Sequence, residues 1–362
     1  MHLSALDQSP ISEDQTGADA LRNTLDLAVL CDQLGYHRYW VAEHHGGPML
    51  ASASPEALIG PIASATDRIR VGSGGVMLPH YSPLKVAETF TVLSALYPGR
   101  IDLGIGRAAG TDPLTTFALQ RDRRQAAPDD FPQQLAEVLA YFEDALPEDH
   151  PFARLAATLP GRPQLPEPWL LGSSPQSAIW AGELGLPYAF ADFINRDGAE
   201  IAALYREKFV AGRRLDAPVT AVAAWVLCAD TDEEAQRLAA SSRMTLTLLR
   251  RGQLIPVPPP EKALDFLGRE GKLRDGDSRG SGRRGVIGSP ETVRAGIEEL
   301  AAQYGAEEVI VVTITHDHGA RRRSYELVAD AMALSPRRVV QAPWPHPASS
   351  PSSAPAGAAP SG

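Results

Sequence analysis

Only 2 of the 362 residues are cysteine, and neither Cys31 nor Cys228 sits in a CxxC pair or a Cys/His ligand spacing. That scarcity excludes a disulfide framework or a zinc ribbon and makes a reduced, intracellular protein the expectation. Basic runs are missing too. With a net charge of -10 and a pI near 5.4, the chain lacks the electrostatic footprint of a nucleic-acid binder. No stretch approaches about eighteen uncharged apolar residues, and no basic-then-apolar leader opens the chain. Neither a membrane span nor a signal peptide is expected, and the expected location is cytoplasmic. Nor does a GxGxxG open the first helix, which counts against a doubly wound dinucleotide fold.

What is present fits a large buried core, since 44% of residues are hydrophobic and 22% charged. Short apolar runs alternate with amphipathic stretches throughout. Strands are expected at residues 2–8, 38–42, 69–78, 101–106, 168–174, 187–191, 219–229 and 307–315. Between them the spacing predicts helices, among them Gly17 to Leu34, closed by Gly35, and Pro55 to Ala65, with Ser54 placed to cap it. Eight βα units without an antiparallel segment predict a (β/α)8 TIM barrel over residues 1–340. Residues 251–290 are rich in Pro, Gly and charge and break the rhythm before the eighth strand. They read either as a lid over the site or as a disordered linker. Residues 341–362 form a Pro/Ala/Ser-rich tail that has almost nothing to bury and is expected to be disordered.

In a barrel the C-terminal ends of strands face the substrate. That rule collects Asp7, Gln8, Glu43, His44, His45, Gly74, Gly75, Met77, Gly106, Arg107, Ser173, Ser174, Asp192, Asn195, His316, Asp317 and His318 as candidates. In "GSSPQSA", serines 173, 174 and 177 stand at a strand-to-helix junction, which suits a phosphate; an ordinary helix cap is the competing reading. Arg107 ends the neighbouring strand and either completes an anion pocket or pairs with a carboxylate. Glycines 72, 74 and 75 within one strand point to a bulge, tight barrel packing, or a flat ligand lying against the backbone. The "EHH" of residues 43–45 allows structural, metal-binding or proton-handling roles. Neighbouring histidines on an extended segment face opposite sides, so a metal would need partners such as His316 and His318.

Several blocks in this order resemble the bacterial luciferase-like flavin-dependent monooxygenase family: "VAEHHGG", "VGSGGVMLPHYSPLKVAE", "LYPGRIDLGIGR", "GSSPQSAIWAGELGLP", "GVIGSPETVRAGI" and "VIVVTITHDHGARRRSYEL". The likeness spans residue 2 to about residue 335, and it is greatest to the single-chain branch that includes tailoring enzymes of aromatic polyketide antibiotics. The resemblance implies a homodimeric barrel that binds reduced FMN (FMNH2) from a separate NAD(P)H:flavin reductase. Through a flavin C4a-(hydro)peroxide formed with O2, it would oxygenate a small organic substrate. It implies His44 as the catalytic histidine, supported by Glu43. A cis peptide is implied at Gly74–Gly75 against the flavin ring, and Arg107, Ser174 and Ser177 hold the phosphate. Ser173 falls where some relatives contribute backbone. Gly106 stands where luciferase itself has a reactive cysteine, and Arg121, Arg123 and Arg124 compete for the family's second phosphate arginine.

Hydroxylation, epoxidation and Baeyer–Villiger insertion all remain open as outcomes. Three alternatives also stand: an oxidoreductase of the same fold using the deazaflavin F420, a barrel that binds flavin without oxidising a substrate, and a metal-dependent hydrolase built on His44, His45, His316 and His318.

Overall fold

The computed structural model describes residues 1–107, 112–120, 122–124, 129–195, 197–212, 214–271 and 285–335. The first half alternates β1 (His2–Asp7), α1 (Gly17–Leu34), β2 (Arg38–Val41), α2 (Pro55–Ala65), β3 (Arg70–Met77), α3 (Pro83–Leu96) and β4 (Ile101–Gly106). Three helices follow, α4 (Pro113–Leu119), α5 (Phe131–Glu143) and α6 (Ala153–Ala156). Then come β5 (Glu167–Gly172), α7 (Pro175–Glu183), β6 (Tyr188–Ala191), α8 (Gly198–Lys208), β7 (Thr220–Cys228), α9 (Asp232–Leu249) and α10 (Pro260–Arg269). The last elements are β8 (Gly285–Gly288), α11 (Pro290–Tyr304), β9 (Glu308–Val312) and α12 (His318–Ala331).

Eight of the strands are parallel and close on one another in the order β1 to β7 and then β9, with β6 paired to β7 and β9 to β1. This is the (β/α)8 barrel that the alternation predicts. The strand expected at residues 307–315 is β9. The remaining strand, β8, is an addition: among the described residues it pairs only with the end of β7, from Trp225 to Cys228, and leaves the barrel closed without it. The stretch expected as an insertion at 251–290 therefore carries α10, packed on α9, and β8, while residues 272–284 lie outside the described residues. The proposed tail at 341–362 lies outside them as well. Among the described residues no helix is long and apolar enough to cross a membrane.

Strand alternation sorts the core into two layers. Outward residues such as Leu3, Ala5, Tyr39, Val41, Val71 and Leu103 pack against the helices. Inward residues make a smaller core of Leu6, Trp40, Ala42, Trp169, Ala189, Ala221, Ala223, Ile310 and Val312. The helix ends follow local chemistry. Thr16 caps α1 in a reciprocal box with Asp19, and Gly35 ends that helix at φ 92°, where a residue with a Cβ would be strained. Ser54 occupies the cap position of α2, but its side chain makes no capping bond, contrary to the sequence expectation.

Two buried ionic clusters fasten the barrel. At its N-terminal end Arg38 binds Asp102 at 2.9 Å, Glu308 at 3.2 Å and Glu167 at 3.2 Å. Asp102 also accepts from the Trp40 indole at 2.9 Å and from Arg70, while Ser4 bonds Glu308. Burial opposes the Arg38 charge, and the three carboxylates reverse that, raising its pKa above the ordinary arginine value. Outside β1, Asp7 takes bonds from Arg321 at 2.6 Å, the Tyr39 hydroxyl at 2.5 Å and the Ser9 amide at 2.7 Å, fixing α12 to the barrel.

Removing one member of a buried, bonded ion cluster leaves the others uncompensated, at about 3–5 kcal/mol. Asp102→Ala is expected to lower unfolding stability on that scale, measured by chemical denaturation. Burial works against the Asp7 carboxylate, but Arg321, Tyr39 and Ser9 outweigh it and hold its pKa below the ordinary value of about 3.9. The stabilisation it brings is complete above that value and is lost as pH falls through the lower folded-state pKa. Denaturation below about pH 4 is therefore expected to depend less steeply on pH in Asp7→Asn than in the parent.

Candidate active site

Above the Arg38 cluster the barrel interior opens into a cavity of about 480 Å³ at the C-terminal ends of the strands. Its space comes from small inward residues: Gly74 on β3, Gly106 on β4, Ala189 and Ala191 on β6 and Ala223 on β7 all line it. At β3 the tightness is on the backbone side. A Cβ at Gly74 would meet Leu6 Cδ1 at 2.5 Å, and one at Gly75 would meet the Gly104 carbonyl at 2.7 Å. The peptide between these two glycines is cis, and β3 shifts its register against β4 there. Main chain bare of side chains thus lines the cavity at β3, packed beside Leu6 and Trp40.

All nine residues proposed for the site line this one cavity: Glu43, His44, Gly74, Gly75, Gly106, Arg107, Ser173, Ser174 and Ser177. They divide between two ends. At one end α7 begins, with Ser174 accepting from the Ser177 amide at 3.3 Å. The Ser177 hydroxyl donates to the Ser174 carbonyl at 2.8 Å and lies 2.9 Å from the Tyr188 hydroxyl, so it is already committed within the protein. Asn195 holds the Ser173 carbonyl at 2.8 Å. The helix-cap reading of these serines is thus realised, and the N-terminus of α7 lies at this end of the cavity, where a helix favours an anion. Arg107 lines the same end. It pairs with Asp129 at 2.7 Å and stands 5.7 Å from the Trp180 ring, so it is positioned but half exposed, with donors to spare.

The other end belongs to the "EHH" segment, whose three side chains take different tasks. Glu43 is fully buried and accepts from the Met77 amide at 2.9 Å and the Tyr81 hydroxyl at 3.1 Å. It also holds His45 Nε2 at 2.8 Å, which turns His45 away from the first cavity. His44 lines the cavity, with Nε2 3.3 Å from the Gln8 amide nitrogen. With that amide as donor, Nε2 is the acceptor.

Of the other strand-end candidates, Gln8 and Met77 line this cavity too, and the acidic ones and His318 serve elsewhere. Asp7 is out of phase with the inward Leu6 and Gln8 and serves Arg321; Asp192 is buried against the Tyr304 hydroxyl at 2.6 Å. Asp317 caps α12 by accepting from the Ala320 amide at 2.7 Å, and His318 binds Asp26 at 2.7 Å. The four-histidine ligand set is therefore not assembled: His45 and His318 are engaged by different carboxylates. Among the described residues no three His, Cys, Asp or Glu side chains form a metal-ligating group. Of the competing arginines, Arg123 and Arg124 are exposed and bond the Ala118 carbonyl and Asp122, while Arg121 lies outside the described residues. Sequence reasoning did not single out Trp40, Leu171, Trp180 and Phe193 as cavity walls. Trp40 and Leu171 were readable by counting in twos along β2 and β5, whereas Trp180 and Phe193 come from a helix and a loop, where no period applies.

The donor set suits a phosphorylated, planar, largely apolar cofactor: an anion-favouring helix end with an arginine, then a flat apolar slot, then a histidine. The sequence profile of the family described as luciferase-like monooxygenase matches residues 1–308. A luciferase-like monooxygenase of Escherichia coli (strain K12) is 39% identical over 328 residues, 90% of this chain and 96% of that one. The N-acetyl-S-alkylcysteine monooxygenase of Bacillus subtilis (strain 168) is 37% identical over 341 residues, 93% of this chain and 100% of that one. The crystal structure of apo-MsnO8 matches with a TM-score of 0.84 and 42% identity, over 93% of this chain and 98% of that one. Fold, ordered motifs and full-length similarity agree, and the chain belongs to the luciferase-like monooxygenase family of flavin-dependent oxidoreductases.

Proposed function

We propose that the protein is an FMN-dependent monooxygenase, which receives the reduced cofactor from a separate reductase and oxygenates a small organic molecule. The observation that carries this reading is the order of groups along one cavity, from the α7 terminus and Arg107, past the Gly74–Gly75 wall, to His44. When bound, reduced flavin supplies the electrons that activate O2 for transfer of one oxygen atom to the substrate.

The chain's own residues have four tasks. Arg107, Ser173 and Ser174, at the N-terminus of α7, anchor the phosphate. Leu6, Trp40 and Leu171 exclude water from the slot, which keeps reactive species from hydrolysis and proton leakage. His44 accepts or returns a proton at Nε2, and Gln8 orients that nitrogen. Glu43 fixes the loop by holding Met77, Tyr81 and His45 together.

Titration of the purified protein with FMN and with F420 tests the cofactor. FMN is expected to bind in preference, and reduced FMN to oxidise in air at a rate altered by the protein. Absence of both effects would end the reading, and a preference for F420 would transfer it to the deazaflavin alternative. Loss of charge-assisted bonds predicts that Arg107→Ala weakens FMN about tenfold to a hundredfold. His44→Ala is expected to keep FMN affinity while oxygenation falls by about 10²–10⁴. Oxygenation at the parent rate in that variant would remove His44 from its role.

A further inference from the structure

Strands β1 and β2 separate just where they deliver Gln8 and His44 to the cavity. As far as Asp7 the parallel ladder holds, and the Asp7 carbonyl accepts the Ala42 amide at 2.9 Å. Parallel pairing repeats every two residues, so the next bond would join the His44 amide to the Ser9 carbonyl. That bond is replaced. The Ser9 carbonyl accepts the Ala51 amide at 2.9 Å, and the His44 amide donates to the Ser52 carbonyl at 2.9 Å. Residues 51 and 52, from the loop after β2, thus form a wedge between the two diverging ends.

Ser52 is the member of this wedge that bonds both site residues. Its carbonyl holds the His44 main chain, and its hydroxyl donates to the Gln8 carbonyl at 2.9 Å. Ser52 and Gln8 are both buried, and a buried carbonyl needs a donor, which the Ser52 hydroxyl supplies. The Gln8 side-chain amide in turn stands 3.3 Å from His44 Nε2. The three residues therefore close a ring, from Ser52 to His44, from His44 to Gln8, and from Gln8 back to Ser52. Pinning the loop to the stretch after β1 is already done by main-chain bonds, from Ala51 to Ser9 and from Ile11 to Met49. The Ser52 hydroxyl adds something else, a fixed register between the histidine and the amide that faces it.

Resting on the flavin reading and on the proton-handling role of His44, we propose that Ser52 is a positioning residue of the reaction. It acts through Gln8. By tying the Gln8 main chain to the segment that holds His44, its hydroxyl keeps the Gln8 amide aimed at Nε2. Without the hydroxyl the amide and the imidazole move independently, and Nε2 loses its fixed partner. Arg107 and the serines of α7 lie at the other end of the cavity and are unaffected.

The test compares Ser52→Ala, which keeps the main-chain bond to His44, with Ser52→Cys, which keeps the size but donates weakly. In the flavin-free chain, nitrogen NMR of labelled histidine follows His44 Nε2, its signal assigned by its loss in His44→Ala. In Ser52→Ala this signal is expected to move toward that of an unbonded ring nitrogen, as in Gln8→Leu, and by less in Ser52→Cys. With FMN bound, the factor by which the protein alters oxidation of reduced FMN in air is expected to shrink by about tenfold in Ser52→Ala. FMN affinity is expected to match the parent. In a Gln8→Leu background Ser52→Ala is expected to add nothing to either readout, because residues acting through one another are not additive. A merely structural serine would exact its full cost in both backgrounds. The proposal is overturned if Ser52→Ala leaves the His44 signal in place, or if its effect adds in full to that of Gln8→Leu. Should Ser52→Ala not fold, Ser52→Cys carries the same comparison. Failure of FMN to bind, with the flavin-free signals moving as expected, would remove the flavin reading and leave the positioning role standing.

Discussion

The cluster centred on Arg38 and Asp102 is the constraint on which the rest of the barrel depends. Its members come from six of the eight barrel strands: Ser4, Arg38, Arg70, Asp102, Glu167 and Glu308. Buried charges of this kind are stable only when each has its partners, so the strands must hold their registers for the cluster to exist. The cluster also fills the N-terminal end of the interior, and open space is confined to the opposite end. Trp40 belongs to both layers. Its indole nitrogen bonds Asp102 below, while its ring packs edge-on to Trp169 with centroids 5.3 Å apart and lines the cavity above.

Above that floor, the division of labour in "EHH" follows from strand geometry. Beyond the end of β2 the neighbouring histidines part: Glu43 binds His45, while His44 stands beside Gln8. Glu43 then links the ends of β2 and β3 through Met77 and continues to Tyr81 before α3. An acid with no solvent exposure serves here as a brace for the loop carrying the histidine. The paired histidines need no metal to account for them.

Much of this was legible in advance because the barrel rhythm is written in alternating apolar runs. Helices α1 and α2 match their expected limits at both ends, and β4 does so too. Physical reasons explain the rest. Strand β8 spans four residues and contributes no inward side chain to the closed barrel, so it leaves almost no periodic trace. Helix α10 was hidden by the Pro-rich run before it, although Pro259 is its cap and Pro260 its first residue. Strand-end position alone suggested Asp7 and Asp192 as site residues, and the outward phase of Asp7 along β1 gave it a bracing task. At α7 the helix-cap reading of the serines is realised, and the phosphate reading draws on that same terminus.

The short bridges outside the barrel have a further consequence. Pro10 pairs with Leu50 and Ser12 with Val257, and Ile11 bonds the main chain of both Met49 and Val257 at 2.8 Å. The loop after β1 thus ties together two distant stretches that line a second cavity of about 490 Å³ beside the first, with Met49 and Leu50 from one and Leu254 from the other. The first cavity is shaped mostly by strand residues that the barrel cannot change without losing closure. The two chambers therefore answer to different parts of the chain. Substitutions and length changes between α9 and α10 can reshape the second cavity and leave the first intact, which gives a route for one scaffold to vary one chamber while keeping the other.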